Sequence, residues 1–168
     1  MRATAKILDI PIYTTTQNAA RLGATVSELS SLLPTSTESA AATIEVDKTA
    51  FSMLVPDLTT QLARQKGRLS VIIVGIETHI CVTQTALDLL AQGHRVYVLQ
   101  DGVSSCNEGE RPVALARLAR EGCVVTTSES LLFEILGDAN NPRFKAISGL
   151  VKETKDDTRL AVDTFCKL

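Results

Sequence analysis

Cys81 is the side chain in this sequence best placed to act as a nucleophile. The apolar run 70–74 turns through Gly75-Ile-Glu-Thr-His-Ile80 into a helical stretch, which sets the thiol at or near a first helical turn. Unpaired backbone N–H groups and the helix dipole favour negative charge there. The same N–H groups can stabilise the oxyanion formed when a sulfur attacks a carbonyl, so one turn would supply nucleophile and oxyanion hole. Position alone also fits a small buried apolar residue, the commoner state of a free cysteine. Lys48, at the end of an earlier strand, would share the rim with Cys81 and steady negative charge on the sulfur; by itself it reads as a surface lysine. His79 suits either proton transfer and substrate polarisation or a pocket-shaping role. Asp101, in Gln100-Asp-Gly-Val-Ser-Ser105, is a candidate base, although an Asp opening a turn more often bonds backbone N–H groups, and that structural role is preferred.

These residues need a scaffold that brings strand ends together. Segments 11–16, 42–46, 70–74, 95–100 and 123–127 are β-branched or aromatic and read as strands. Segments 56–65, 78–91, 109–120 and 129–136 read as helices, with Gly93 and Gly122 as stop signals after the second and third. Strands alternating with helices imply parallel pairing through right-handed crossovers, hence an α/β, three-layer α/β/α sandwich. Ligands bind such sheets beyond the carboxyl ends of the strands, which selects residues 15–18, 47–48, 75–81, 101–105 and 126–128. Segment 18–39 is expected to cross the surface with a helical turn or two around 25–33, and residues from 154 onward form a polar tail that either packs on another subunit or frays.

Composition removes several function classes. The chain has 168 residues, 45% hydrophobic and 21% charged, which suits one globular core; the expected division is one domain over 1–153 and the tail over 154–168. A net charge of −2 and the absence of Trp give no footprint for a phosphate backbone, so no nucleic-acid partner is expected. No apolar run is long enough to span a bilayer, and no signal-like segment opens the chain, so the expected location is the cytoplasm. Cys81, Cys106, Cys123 and Cys166 form no CxxC pair and read as reduced thiols. His79 and His94 fall at opposite ends of the sheet, and there is no HxxxH spacing, so neither a metal nor another cofactor is expected.

Taken together, Val74-Gly-Ile-Glu-Thr-His-Ile-Cys-Val82, Thr85-Ala-Leu-Asp-Leu-Leu90 with Gly93, and Val98-Leu-Gln-Asp-Gly-Val-Ser-Ser105 resemble the isochorismatase-like cysteine hydrolases. The resemblance extends through Asp47-Lys-Thr-Ala-Phe-Ser-Met53, Thr126-Thr-Ser-Glu129 and Asn141-Pro-Arg-Phe-Lys145, and covers most of residues 5–153, closest to the isochorismatase domain-containing proteins. It implies a Rossmann-like sheet, Cys81 as nucleophile, Lys48 as its charged partner, and a cis peptide at Ile76–Glu77 that makes Glu77 and Cys81 N–H groups the oxyanion hole. It implies substrate entry near Gln17, Phe51 and His79.

The family's catalytic Asp closes a first, central strand that precedes the helix running into Pro11, and no residue here matches it. Asp9 lies before the next strand, at the opposite end of the sheet; Asp101, on the neighbouring strand end, is the candidate compensating carboxylate. Without that first strand, the strands beginning at Pro11 and Ser70 would pair directly or another chain would fill the place. The leading expectation is a hydrolase acting on a small-molecule amide or an isochorismate-type substrate, with a homo-oligomer as its assembly. The alternatives are a catalytically impaired member acting through oligomerisation or ligand binding and, ranked last, a thiol redox role for Cys81 with Cys106. Nicotinamide is disfavoured, because the nicotinamidases of the family use a histidine-bearing metal site.

Overall fold

The computed structural model describes residues 2–33 and 44–166. Helix α1 (Arg2–Leu8) leads into strand β1 (Tyr13–Gln17), and the short helices α2 (Ala19–Leu22) and α3 (Ser27–Ser30) follow. Then come β2 (Ile44–Lys48), α4 (Pro56–Leu62), β3 (Ser70–Gly75), a π-helical turn (Thr78–Val82), α5 (Thr83–Ala91) and β4 (Arg95–Val103). Helix α6 (Glu110–Glu121), β5 (Val124–Thr126), α7 (Ser128–Leu136), α8 (Phe144–Glu153) and α9 (Lys155–Phe165) complete the order. The expected strand at 42–46 is realised from Ile44; its first two residues, like the stretch 34–39 of the expected crossing, lie outside the described residues.

The layers follow from the two-residue period of β4. Val96 and Val98 point to one face and join Ile73, Val82, Ala86, Leu89, Leu115 and Leu118 in the main core beneath α5 and α6. Tyr97 and Leu99 point to the other face and pack with Leu131 of α7, Ile72 and Val124. A third cluster, Leu8, Leu136 and Ile147, ties α1 to α7 and α8. Every strand pairing is parallel, as βαβ connections require. Gly122, at φ 107°, ends α6 in the left-handed conformation that a side chain would disfavour.

Two features differ from the sequence-based expectation. The ladders form two sheets, β1–β2 and β3–β4–β5, and none joins β1 to β3, so direct pairing of those strands does not occur. The segment read as a polar tail is instead helical from Lys155, anchored where the Arg111 guanidinium stacks on Phe165 at 4.8 Å and donates to the Phe165 carbonyl. Its charged run suits an exposed helix face, with Arg159 and Asp156 paired at 3.3 Å.

Candidate active site

The cysteine turn is built on β3 and pinned to β4. Gly75 leaves the strand at φ 130°, a conformation open to glycine, and the Ile76–Glu77 peptide is cis. Thr78, fully buried, donates from both its N–H (2.9 Å) and its hydroxyl (2.8 Å) to the Ser104 carbonyl at the end of β4. The Val82 N–H closes the wide π-helical turn on the Glu77 carbonyl at 3.2 Å. The Thr83 hydroxyl donates to the Thr78 carbonyl at 2.7 Å, and the Thr85 hydroxyl to the Cys81 carbonyl at 2.6 Å. Among the described residues the Glu77 N–H has no acceptor.

Lys48 closes β2 and is 6% exposed. Its ammonium donates to Gln17 Oε1 at 2.6 Å and to the carbonyls of Ala50 (2.9 Å) and Phe51 (3.0 Å). Burial pulls its pKa below the usual lysine value, opposed by the charges of Cys81 and Asp47. Gln17, at the end of β1, is fixed by donating from Nε2 to the Thr49 carbonyl at 2.7 Å, and its Oε1 also receives the Cys81 thiol at 3.9 Å. The ends of β1 and β2 and the turn after β3 therefore meet on one amide oxygen. Thr85 joins the same construction from below, accepting the Met53 N–H at 2.9 Å and so tying the loop that follows Lys48 to α5.

His79 lies on the far side of the turn, its Nδ1 3.0 Å from Ser105 Oγ and 4.0 Å from Glu77 Oε2. The Glu77 carboxylate accepts from the Cys106 N–H (2.7 Å) and thiol (3.1 Å), and that bond with its negative charge pushes the Cys106 thiol up. Asp101 is engaged by Ser128, whose N–H reaches Oδ1 at 2.8 Å and whose hydroxyl donates to Oδ2, the backbone-bonding role weighed above. Asp9, exposed after α1 at φ 57°, precedes β1 and so stands at the amino end of that strand. Phe51 is half exposed beside Lys48, where its carbonyl is used. His94, read from the sequence as lying at the opposite end of the sheet from His79, accepts the Leu69 N–H at 3.2 Å at the amino end of β3. An open cavity of about 400 Å³ shares Lys48 with the site and is lined further by Thr49, Ala50, Val55 and Pro56, but not by Cys81. Sequence reasoning missed Thr78 and Thr85 as positioning residues; a threonine four residues after Cys81, able to bond back to its carbonyl, was the available signal.

The isochorismatase domain profile matches residues 2–130. The chain is 46% identical over 157 residues to the secreted isochorismatase effector Isc1 of Phytophthora sojae, covering 91% of this chain and 71% of that one. It is 40% identical to isochorismatase domain-containing protein 1 of Salmo salar, covering 93% of this chain but only 52%, about half, of that relative. Among solved structures, the MAR1 ribonuclease of Caenorhabditis elegans superposes with a TM-score of 0.78 at 37% identity, over 89% of this chain and 73% of that one. An octameric hydrolase of Escherichia coli shares the fold at 24% identity, with a TM-score of 0.74 over 98% of this chain and 78% of that one. The chain belongs to the isochorismatase-like hydrolase family.

Proposed function

We propose that this chain is a hydrolase in which Cys81 is the nucleophile, Lys48 its cationic partner, and the Glu77 and Cys81 N–H groups the oxyanion donors. The observation that carries the reading is the convergence of Lys48 Nζ and Cys81 Sγ on Gln17 Oε1, at 2.6 and 3.9 Å. A small-molecule amide or an isochorismate-type compound is the substrate class. With an amide, the sulfur attacks the carbonyl carbon and the oxygen takes up negative charge facing the free Glu77 N–H. Collapse breaks the C–N bond, and the amine leaves with the thiol's proton. Water then cleaves the thioester, releasing the acid and restoring the thiol. Gln17, Phe51 and His79 line the approach in this reading. The name of the 46% identical effector puts isochorismate on the test panel. RNA is not proposed as a substrate, because 17 basic against 19 acidic residues give no polyanion footprint. The cytoplasm suits the four free cysteines, and self-association suits the exposed Leu22, Val26, Leu29 and Leu32.

One observation favours a second reading, a catalytically impaired member that binds or assembles. Among the described residues no carboxylate hydrogen-bonds Lys48 Nζ or Cys81 Sγ, and an amide oxygen is no base. A positioned base is worth ~10² to 10⁴ in rate. Assaying isochorismate and a panel of small amides with the wild type, Cys81→Ala and Lys48→Met separates the two. Hydrolysis lost with Cys81→Ala and reduced about 10²- to 10³-fold by Lys48→Met supports the first reading. Equal background rates for all three proteins support the second.

A further inference from the structure

Among the described residues, Glu77 is held at every polar group except its N–H. Its carbonyl accepts the Ile80 N–H at 3.1 Å and the Val82 N–H at 3.2 Å. One carboxylate oxygen accepts the Cys106 N–H at 2.7 Å and the other the Cys106 thiol at 3.1 Å. The side chain therefore leaves the cysteine turn and grips the loop that follows β4, 29 residues along the chain. This grip is not what pins the turn to β4. The Thr78 N–H and hydroxyl already donate to the Ser104 carbonyl, and the Ser104 N–H returns to the Gly75 carbonyl at 3.2 Å. Nor does the carboxylate lack water, since the side chain is 21% exposed. Two fixed bonds in place of a mobile, solvated carboxylate cost side-chain freedom, and what they add is direction.

We infer that the Glu77 side chain is a positioning residue for acyl transfer: tied to Cys106, it fixes the Glu77 Cα and so aims the Glu77 N–H at the oxygen that takes up charge. An amide N–H turns with the Cα to which its nitrogen is bonded. With the carbonyl and the carboxylate of Glu77 both anchored, its N–H cannot swing away from the site. A donor set in place beforehand needs no reorganisation as charge develops, and a misplacement of about 1 Å in such a site can cost ~10²-fold in rate. The tie also governs charge. A carboxylate turned toward the oxyanion would oppose it, whereas the bonds to Cys106 keep the Glu77 carboxylate on the His79 side, 4.0 Å from Nδ1. The 3.0 Å contact of His79 Nδ1 with Ser105 Oγ fastens the same loop to the same turn.

The inference rests on the reading of Cys81 as an acyl-accepting nucleophile, and its test compares two reactions of that one thiol in the full chain. Acylation by p-nitrophenyl acetate passes through an oxyanion; alkylation by iodoacetamide displaces iodide from a saturated carbon and does not. In Glu77→Ala the maximal acylation rate of Cys81 should fall about 10- to 10²-fold with the half-saturating ester concentration unchanged. Alkylation of Cys81 at pH 7 should keep its wild-type rate, because the bonds of Thr78 and Ser104 still hold the turn. Glu77→Gln retains an acceptor for the Cys106 N–H and should recover most of the acylation rate. Cys106 should be alkylated at lower pH in Glu77→Ala, the bond that raises its thiol being gone. Wild-type acylation in Glu77→Ala would overturn the inference and leave the hydrolase reading standing. Acylation and alkylation falling together would overturn it too, since the side chain would then merely hold the fold around the thiol. So would a Glu77→Gln as slow as Glu77→Ala. A wild type that is never acylated would remove the hydrolase reading, and with it any oxyanion for Glu77 to face.

Discussion

At the residue scale, the four thiols are set apart by what surrounds them. Burial pushes the Cys123 thiol up to about 11, with Glu121 adding to the effect. Cys166 is raised by burial and then by the charge of Asp101, and Cys106 by its bond to Glu77 and that carboxylate's charge. Raised values hold a thiol protonated at neutral pH, and the thiolate is what an alkylating agent attacks. Cys81 instead stands beside a buried ammonium. Iodoacetamide near pH 7 should therefore label Cys81 first, by peptide mass mapping. Labelling of the exposed Cys106 should climb only as pH rises past the ordinary thiol range. Equal labelling of Cys81 and Cys106 at pH 7 would count against an activated Cys81. Lys48 is also where sequence reasoning was weakest on its own terms. A lysine is a surface residue by default, and only a strand pairing distant in sequence brings its Nζ to Gln17, with |i−j| of 31.

At the element scale, the site depends on a few threonines that join elements not adjacent in the chain. Thr85, buried in α5, links the loop after β2 to the cysteine turn through its 2.9 and 2.6 Å bonds. Thr85→Val keeps the volume but leaves the Met53 N–H without its acceptor. It should cost about 1 to 3 kcal/mol in chemical denaturation. Wild-type stability in that variant would show that the link is not structural. The strands and helices around Cys81 were legible because β3 is apolar on both faces and α5 carries a three-to-four-residue period ended by Gly93. The helix α9 was not legible. Its run of charges reads equally as a solvated tail, and what holds it is the distant Arg111, 54 residues from Phe165.

At the scale of the whole molecule, stability is unevenly shared between the two sheets. Leu118, Val96, Val98 and Ala86 are fully buried in the core around β3–β4–β5, whereas all five residues of β1 remain partly exposed. A two-stranded pair is marginal by itself. Native-state hydrogen exchange should be slowest at β4 and markedly faster at β1; equal protection would mean that the two sheets unfold as one unit. The division into two sheets could not be read locally, since strand order is decided by pairings between distant segments and not by the composition of either strand. The consequence reaches the site, because Gln17 and Lys48 close the two strands of the smaller pair while Cys81 lies in the turn that follows β3 of the larger sheet.

The central claim, that Cys81 attacks an acyl carbon beside Lys48, is tested most directly by trapping the acyl group. After brief exposure to p-nitrophenyl acetate and an acid quench, intact-mass and peptide analysis should find one acetyl group, on Cys81, accompanied by a burst of nitrophenolate that Cys81→Ala abolishes. A burst that survives in Cys81→Ala, or acetyl spread evenly over Cys81, Cys106 and the lysines, would contradict it.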